Sequence, residues 1–371
     1  MSSIFLNTLS AVTQEHIALS RTRRETLCWL ILLIMRYGTV CLWRLAAHAP
    51  SSAQTDSVRR RFYRFFQFMH IDTCTAARVT VGLLGLDGKP WTLTIDRTNW
   101  DFGRVSINIL MIAVIWNGVG IPLVWTFLPG KGNSSTLFRT QLLDRLRVTF
   151  PDMKVSLLMG DREFIGGHWM TYLAENNANF VLRLRDNQFV TRDGYATWPI
   201  ARIAHRLKPG QSMRLKGACH LKDGPPLRIV IMRLKSGELL ALACSCRPAR
   251  ALALYRQRWT IETLFANLKT RGFDMETTHI ANPKKLATLM AILAIATALA
   301  VKTGVAANAA KPVPIKSHGR AAVSLFSLGL ATLKRLFAMP DRKDASTVFE
   351  HIISTRTTRK PRMTAAFSGG V

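Results

Sequence analysis

Two long apolar runs, INILMIAVIW (107–116) and GIPLVWTF (120–127), stand close on either side of Asn117-Gly118. An Asn-Gly pair between strand-like runs is the strongest short-range signal for a β-hairpin. A third run, WTLTIDRTNW (91–100), precedes them. Residues 91–129 therefore predict three strands, the second and third joined by that hairpin. The flanking segments have a different period. Residues 1–80 carry apolar side chains at helical spacing around Ile17, Leu27, Leu30, Ile31 and Ile34, with Gly38-Thr39-Val40 between two helices. Residues 134–149 predict a helix, and VSLLMGDREF (155–164) a buried strand that stops at Gly160-Asp161. A helix over about 167–177 and a strand at 179–185 follow. Residues 187–247 predict short strands with turns at Asp223-Gly224-Pro225-Pro226 and Ser236-Gly237. Helix returns from Pro248 to about Arg271, and again over 283–301 after Asn282-Pro283. Beyond 305 the chain is basic and partly periodic, and the last residues, TRKPRMTAAFSGGV, have the composition of a disordered tail. No internal repeat is present. The fold class is mixed α/β.

The charge balance limits the partners. There are 51 Lys and Arg against 22 Asp and Glu, a net charge of +29. So large an excess is tolerated when an anionic partner neutralises it, and nucleic acid is the commonest. A membrane surface is the other candidate. The apolar runs at 27–35 and 286–301 fall short of the ~18–20 residues a span needs, and suit core helices. The N-terminus lacks the pattern of a secretory signal. The cysteines form no Cys-x-x-Cys pair and no zinc spacing, so they read as reduced thiols of a cytosolic protein. Within residues 51–68, Arg59, Arg60, Arg61 and Arg64 interleave with Phe62, Phe65 and Phe66. The aromatics share one helical face, leaving arginines to reach DNA phosphates or simply to face solvent.

Three acids stand out by position. Asp96 lies in Ile95-Asp96-Arg97 and Asp161 in Met159-Gly160-Asp161, both at the ends of strand-like runs, while Glu262 lies on a helix. Carboxylates gathered from strand ends and a neighbouring helix repel unless cations neutralise them. Oxygen ligands without His or Cys suit Mg2+ or Mn2+. Two such ions, ~4 Å apart, would activate a water or 3′-hydroxyl and stabilise a phosphodiester leaving oxygen. The helix of Glu262 also carries Tyr255, Arg258 and Lys269, which fall with it in a sector of roughly 60° at ~100° per residue. Ile261, Leu264, Phe265 and Leu268 make the adjacent apolar stripe. Arg258 and Lys269 are placed to grip phosphates beside the acids. Glu163 and Asp101, close to the two aspartates, are read as structural, Glu163 as a reserve ligand or a partner of Arg162.

The text YRQRWTIETLFANLKTRGFD resembles the Tyr-x2-Arg-x3-Glu-x6-Lys motif of DDE transposases of the insertion-sequence-four type, without insertion or deletion. TIDRTNW is similar to the family's first aspartate motif and LMGDREF to its second. The resemblance covers roughly residues 90–300. It implies a ribonuclease-H-like core, a mixed sheet flanked by helices, with a β-rich insertion between the second Asp and the Glu. It also implies two magnesium ions on Asp96, Asp161 and Glu262, and DNA-backbone contacts from Tyr255, Arg258 and Lys269. The expected activity is cut-and-paste transposition: nicking at terminal inverted repeats, hairpin formation and reopening, then joining to target DNA by a homodimer on paired ends. Relatives stack a flipped base on a tryptophan of the insertion, where this chain offers Trp198; Trp259 braces the helix. The resulting division is a helical N-terminal DNA-binding region (1–85), a core in two parts (86–186 and 248–305), the insertion (187–247) and a basic, partly helical C-terminal region (306–371). A nuclease of the same fold without strand transfer, a domesticated DNA-binding protein and a basic membrane-associated protein are the alternatives.

Overall fold

The computed structural model describes residues 3–102, 105–278, 280–317, 319–339 and 342–355. The tail expected to be disordered lies outside them, as does the side chain of Asp101. Helices come first: α1 (Ser3–Gln14), α2 (Arg21–Tyr37), α3 (Leu42–Ala47), α4 (Thr55–Phe68) and α5 (Thr73–Leu84). Gly38 ends α2 at φ +66, a left-handed position, and its N–H closes on the Ile34 carbonyl. Asp72 caps α5, its carboxylate accepting from the Thr75 N–H at 2.9 Å. On α4, Val58, Phe62, Phe65 and Phe66 are buried, which leaves the polar face to the arginines.

The three predicted strands form an antiparallel meander: β1 (Pro90–Phe102), β2 (Val105–Trp116) and β3 (Val119–Phe127). Asn117 and Gly118 turn between β2 and β3 with φ of 50° and 77°, the conformation a two-residue hairpin demands. Next come α6 (Thr136–Thr149), β4 (Lys154–Gly160), α7 (Gly167–Glu175) and β5 (Phe180–Leu184). β4 lies parallel to β1, and β5 parallel to β4. Then follow β6 (Phe189–Arg192), β7 (Tyr195–Pro199), α8 (Ile200–Ile203), β8 (Ser212–Arg214), β9 (Cys219–His220), β10 (Arg228–Arg233) and β11 (Leu239–Cys244). The large sheet runs β3-β2-β1-β4-β5-β11-β10-β8. Its first five strands, an antiparallel meander followed by two parallel strands, give the ribonuclease-H-like core that the sequence leads one to expect. β10 and β11 continue this sheet through β5, whereas β7, β6 and β9 form a small sheet of their own.

The segment after Pro248 is helical but not one regular helix. α9 (Ala251–Tyr255) passes through a 3-10 turn at Arg256–Arg258 into α10 (Trp259–Ala266), which ends in a π turn at Asn267–Arg271. α11 (Pro283–Ala310) runs to residue 310, past the expected end at 301, and α12 (Leu325–Ala338) and α13 (Arg342–Ser354) complete the described chain. α11 is long and apolar enough to cross a membrane, yet 89% of its most apolar window is buried inside the protein. Its neighbours include α2, α5, α12 and β3. Gly304 and Gly329 let α11 and α12 meet at backbone distance, since a Cβ on either would overlap a carbonyl of the facing helix. All six cysteines are free.

Candidate active site

β1 and β4 are in register at Thr94 and Met159. Side chains alternate along a strand. Asp96 and Asp161 each lie two residues further on, which points them to the same face; Asp161 follows the last residue of β4, whereas β1 does not end at Asp96 as the sequence leads one to expect but runs on, paired with β2, to Phe102. Gly160 makes the second position possible. A Cβ there would stand 2.8 Å from the Phe164 Cβ, so a larger residue would push out the turn in which the Phe164 N–H meets the Asp161 carbonyl at 3.0 Å. Asp161 Oδ1 also accepts the Glu163 N–H at 2.8 Å, which fixes the carboxylate on its own turn.

Glu262 arrives from α10. Ile261, Leu264 and Phe265 bury the other face of that helix, and the close passage of Gly120 beneath the Thr260 carbonyl lets α10 lie down on β3. Arg258 joins the two sides. Its guanidinium donates to Asp96 Oδ2 at 3.3 Å and, through the other terminal nitrogen, to Glu262 Oε1. The Arg258 side chain is 11% exposed and that of Asp96 13%, so this bridge is largely screened from water.

The electrostatics follow from that crowding. Burial raises the Asp96 carboxyl to about 7, and the nearby charges of Asp161 and Glu262 add to the rise. The Arg97 N–H, 2.7 Å from Asp96 Oδ1, and Arg258 oppose it without cancelling it. Burial also raises the Tyr255 hydroxyl to about 12. That hydroxyl is buried without a hydrogen-bond partner among the described residues, close enough to Asp96 and Asp161 to feel both charges. A buried donor with nothing to donate to is what a site shaped for a missing ligand leaves behind. Lys269 donates to the Asn99 carbonyl of β1 at 2.7 Å and lies 5.5 Å from the centre of the Trp100 ring.

Among the described residues no three acidic, histidine or cysteine side chains stand close enough to hold an ion as they are. The donor set nevertheless fits a hard divalent cation. It is all carboxylate, Asp161 and Glu262 raise the affinity of Asp96 for its proton, and one cation, Arg258, already lies between two of them.

The structure thus brings Asp96, Asp161, Glu262, Arg258 and Tyr255 together, with Lys269 at the far end of the same segment. Trp198 is not part of this group. It lies on β7 of the small sheet, with Arg202 stacked 3.1 Å from its ring centre. Trp259 is 64% exposed, so it does not brace the helix by burial. Glu163 is not the partner of Arg162, which pairs with Glu238 instead. It is bound by Arg97 at 3.0 Å and by the Ser134 N–H and hydroxyl, because the chain turns after Gly160 rather than running on as a strand. Arg97, Ser134 and the buried Arg139, which donates to the Glu163 carbonyl at 2.9 Å, brace the Asp161 turn. Sequence reasoning missed them; the adjacency of Arg97 to Asp96 was the available signal.

The basic segment also divides. Arg61 is held on α2 by Glu25 at 2.7 Å, by the Thr26 hydroxyl and by the Trp29 ring at 4.2 Å. Arg59 reaches Asp56 and stacks on Trp43. Arg60 and Arg64 are exposed.

The site is thus a mixed sheet that carries one aspartate within β1 and another just past the end of the neighbouring β4, with a glutamate brought in by the helix laid on β3. Residues 84–299 match the family described as "Transposase DDE domain". This is more than half of the chain, and the protein belongs to that family. No curated protein matches the sequence. Among solved structures, the piggyBac transposase synaptic complex with hairpin DNA is 14% identical, with a TM-score of 0.44 over 97% of this chain and 84% of that one. The catalytic domain of human endonuclease V is 15% identical, with a TM-score of 0.27 over 65% of this chain and 96% of that one. Endonuclease V from Bacillus subtilis is 11% identical, with a TM-score of 0.25 over 65% and 92%.

Proposed function

We propose that this protein is a DNA transposase of the insertion-sequence-four type that moves its element by cutting and rejoining DNA. The observation that carries the reading is the meeting of Asp96 and Glu262 across Arg258, with Asp161 at the adjacent strand end. Asp96, Asp161 and Glu262 would hold two magnesium ions, with manganese able to substitute. When bound, these supply the activation of the attacking oxygen and the neutralisation of the leaving one.

The chain's own residues do the rest. Burial around Asp96 excludes water and strengthens the interaction of Asp96 with Arg258. Arg258 presents two parallel donors suited to a phosphate. The partnerless Tyr255 hydroxyl donates to an oxygen of the same backbone, and Lys269 holds the strand further along. No protein nucleophile is required. The substrates are double-stranded DNA, as terminal inverted repeats and target. Residues 1–85 bind the ends, 86–186 and 248–305 form the catalytic core, 187–247 the insertion and 306–371 a basic C-terminal region. A homodimer acts on paired ends in the bacterial cytosol, beside the nucleoid.

The test is magnesium-dependent cleavage of DNA carrying the element's own ends, comparing the wild type with Glu262→Gln. Cleavage and end joining by the wild type alone is the expected result. Cleavage without joining would make the protein a nuclease, and cleavage by both would remove Glu262 from the chemistry.

A further inference from the structure

We infer that Arg258 and divalent ions compete for the same carboxylate oxygens, so that ion loading and DNA-phosphate binding at this site promote each other. The inference rests on reading the three acids as an ion site. The competition is visible atom by atom. Asp96 Oδ1 already accepts the Arg97 N–H at 2.7 Å, so Oδ2 is the oxygen with more capacity for a further partner. Arg258 takes that oxygen at 3.3 Å and Glu262 Oε1 with its other terminal nitrogen. Both nitrogens are engaged, and the side chain is 11% exposed. An ion that draws on Asp96 Oδ2 and Glu262 Oε1 must displace the guanidinium, which is a bulky group of the same sign of charge.

Once displaced, Arg258 is a planar double donor stripped of its two acids. The Tyr255 ring lies 5.7 Å from the guanidinium, and the Tyr255 hydroxyl is a buried donor that also lacks an acceptor. A phosphate diester supplies the oxygens that both groups need. The coupling runs equally in reverse. A phosphate that draws Arg258 away leaves Asp96 and Glu262 unpaired and raises their affinity for a cation. Linkage makes the two effects equal in size. Without DNA, the arginine therefore keeps the acids occupied, and the site loads its ions when the strand to be cut is in place.

Manganese binding measured by titration calorimetry tests this without turnover. The full-length protein is titrated with Mn2+ alone and with a short duplex, as wild type, Arg258→Ala and Arg258→Lys. Without DNA, Arg258→Ala should bind Mn2+ more tightly than the wild type, by about 5- to 150-fold, the usual span of coupled sites. The duplex should tighten Mn2+ binding to the wild type, and this gain should shrink in Arg258→Ala by the same factor. Arg258→Lys keeps the charge but cannot bridge both acids, so it should fall between the two; it also serves if the alanine variant does not fold. Equal or weaker binding by the variants, or an equal gain from DNA in all three proteins, would overturn the inference. Absence of Mn2+ binding by every protein, with or without DNA, would refute the ion site itself and the coupling with it.

Discussion

Acidification should weaken ion binding at this site far more than ordinary carboxylates allow. An ion needs Asp96 in its charged form, and in the ion-free protein that carboxyl is raised to about 7, first by burial and then by Asp161 and Glu262. At pH 5 only ~1% of it is ionised, so the affinity of the DNA-free protein for Mn2+ should fall ~100-fold between pH 8 and pH 5. An aspartate at its ordinary value of 3.8 would change hardly at all over that range. The sign for stability is fixed by the same displacement. Asp96 binds its proton more tightly folded than unfolded, so its contribution is full below about pH 4 and is lost as pH rises through 7. The loss is at most about 4 kcal/mol, from ~1.4 kcal/mol per pH unit. Added ion should therefore raise the melting temperature strongly at pH 8 and little at pH 5. Calorimetric titration with Mn2+ across pH 5–8 measures the affinity, and the ion-free stability of Asp161→Asn against pH over the same range tests the cause of the midpoint. Because burial outweighs Asp161 as a cause, that change should lower the midpoint without bringing it to the ordinary range. A flat profile in the wild type, or a profile as steep in Asp96→Asn, would refute the argument.

Two further outcomes separate roles that the sequence alone leaves merged. Removing both exposed arginines, Arg60→Ala with Arg64→Ala, should lower the slope of log affinity for DNA against log salt by about 1.8, at ~0.9 per phosphate contact. Arg61→Ala should leave that slope unchanged and lower resistance to urea, because Arg61 ties α4 to α2. Lys302, buried on α11, donates to the carbonyls of Leu83 on α5 and Ile353 on α13 at 2.6 Å each. Lys302→Met should cost about 2 kcal/mol in urea denaturation by leaving both carbonyls unpaired. Burial lowers the Lys302 ammonium to about 8, so the wild type should gain stability between about pH 8 and 10, where the unfolded chain holds the extra proton. The methionine variant should lack that gain.

What could be read in the sequence was whatever depends on near neighbours. The hairpin after β2 follows from Asn117-Gly118, which adopt the positive φ such a turn requires. Asp161 follows from a strand that ends at Gly160, whereas β1 runs on past Asp96 to Phe102, and the contact of Arg258 with Glu262 follows from residues four apart. Features that depend on distant partners were not legible. No local pattern says that β11 will pair with β5 and so carry the β-rich segment into the main sheet. Arg61 has the same neighbours in sequence as Arg60, yet a glutamate 36 residues earlier holds it against α2 while Arg60 stays exposed. The 3-10 turn at Arg256–Arg258 and the π turn at Asn267–Arg271 contain no proline and no glycine, so an ideal helical wheel passes straight through them. The same limit explains why Arg258 was read only as a phosphate-gripping residue. Its spacing from Glu262 is local, but its contact with Asp96 crosses 162 residues. That second contact sets Arg258 between two acids of the candidate site. Only the folded chain shows which acids that charge occupies.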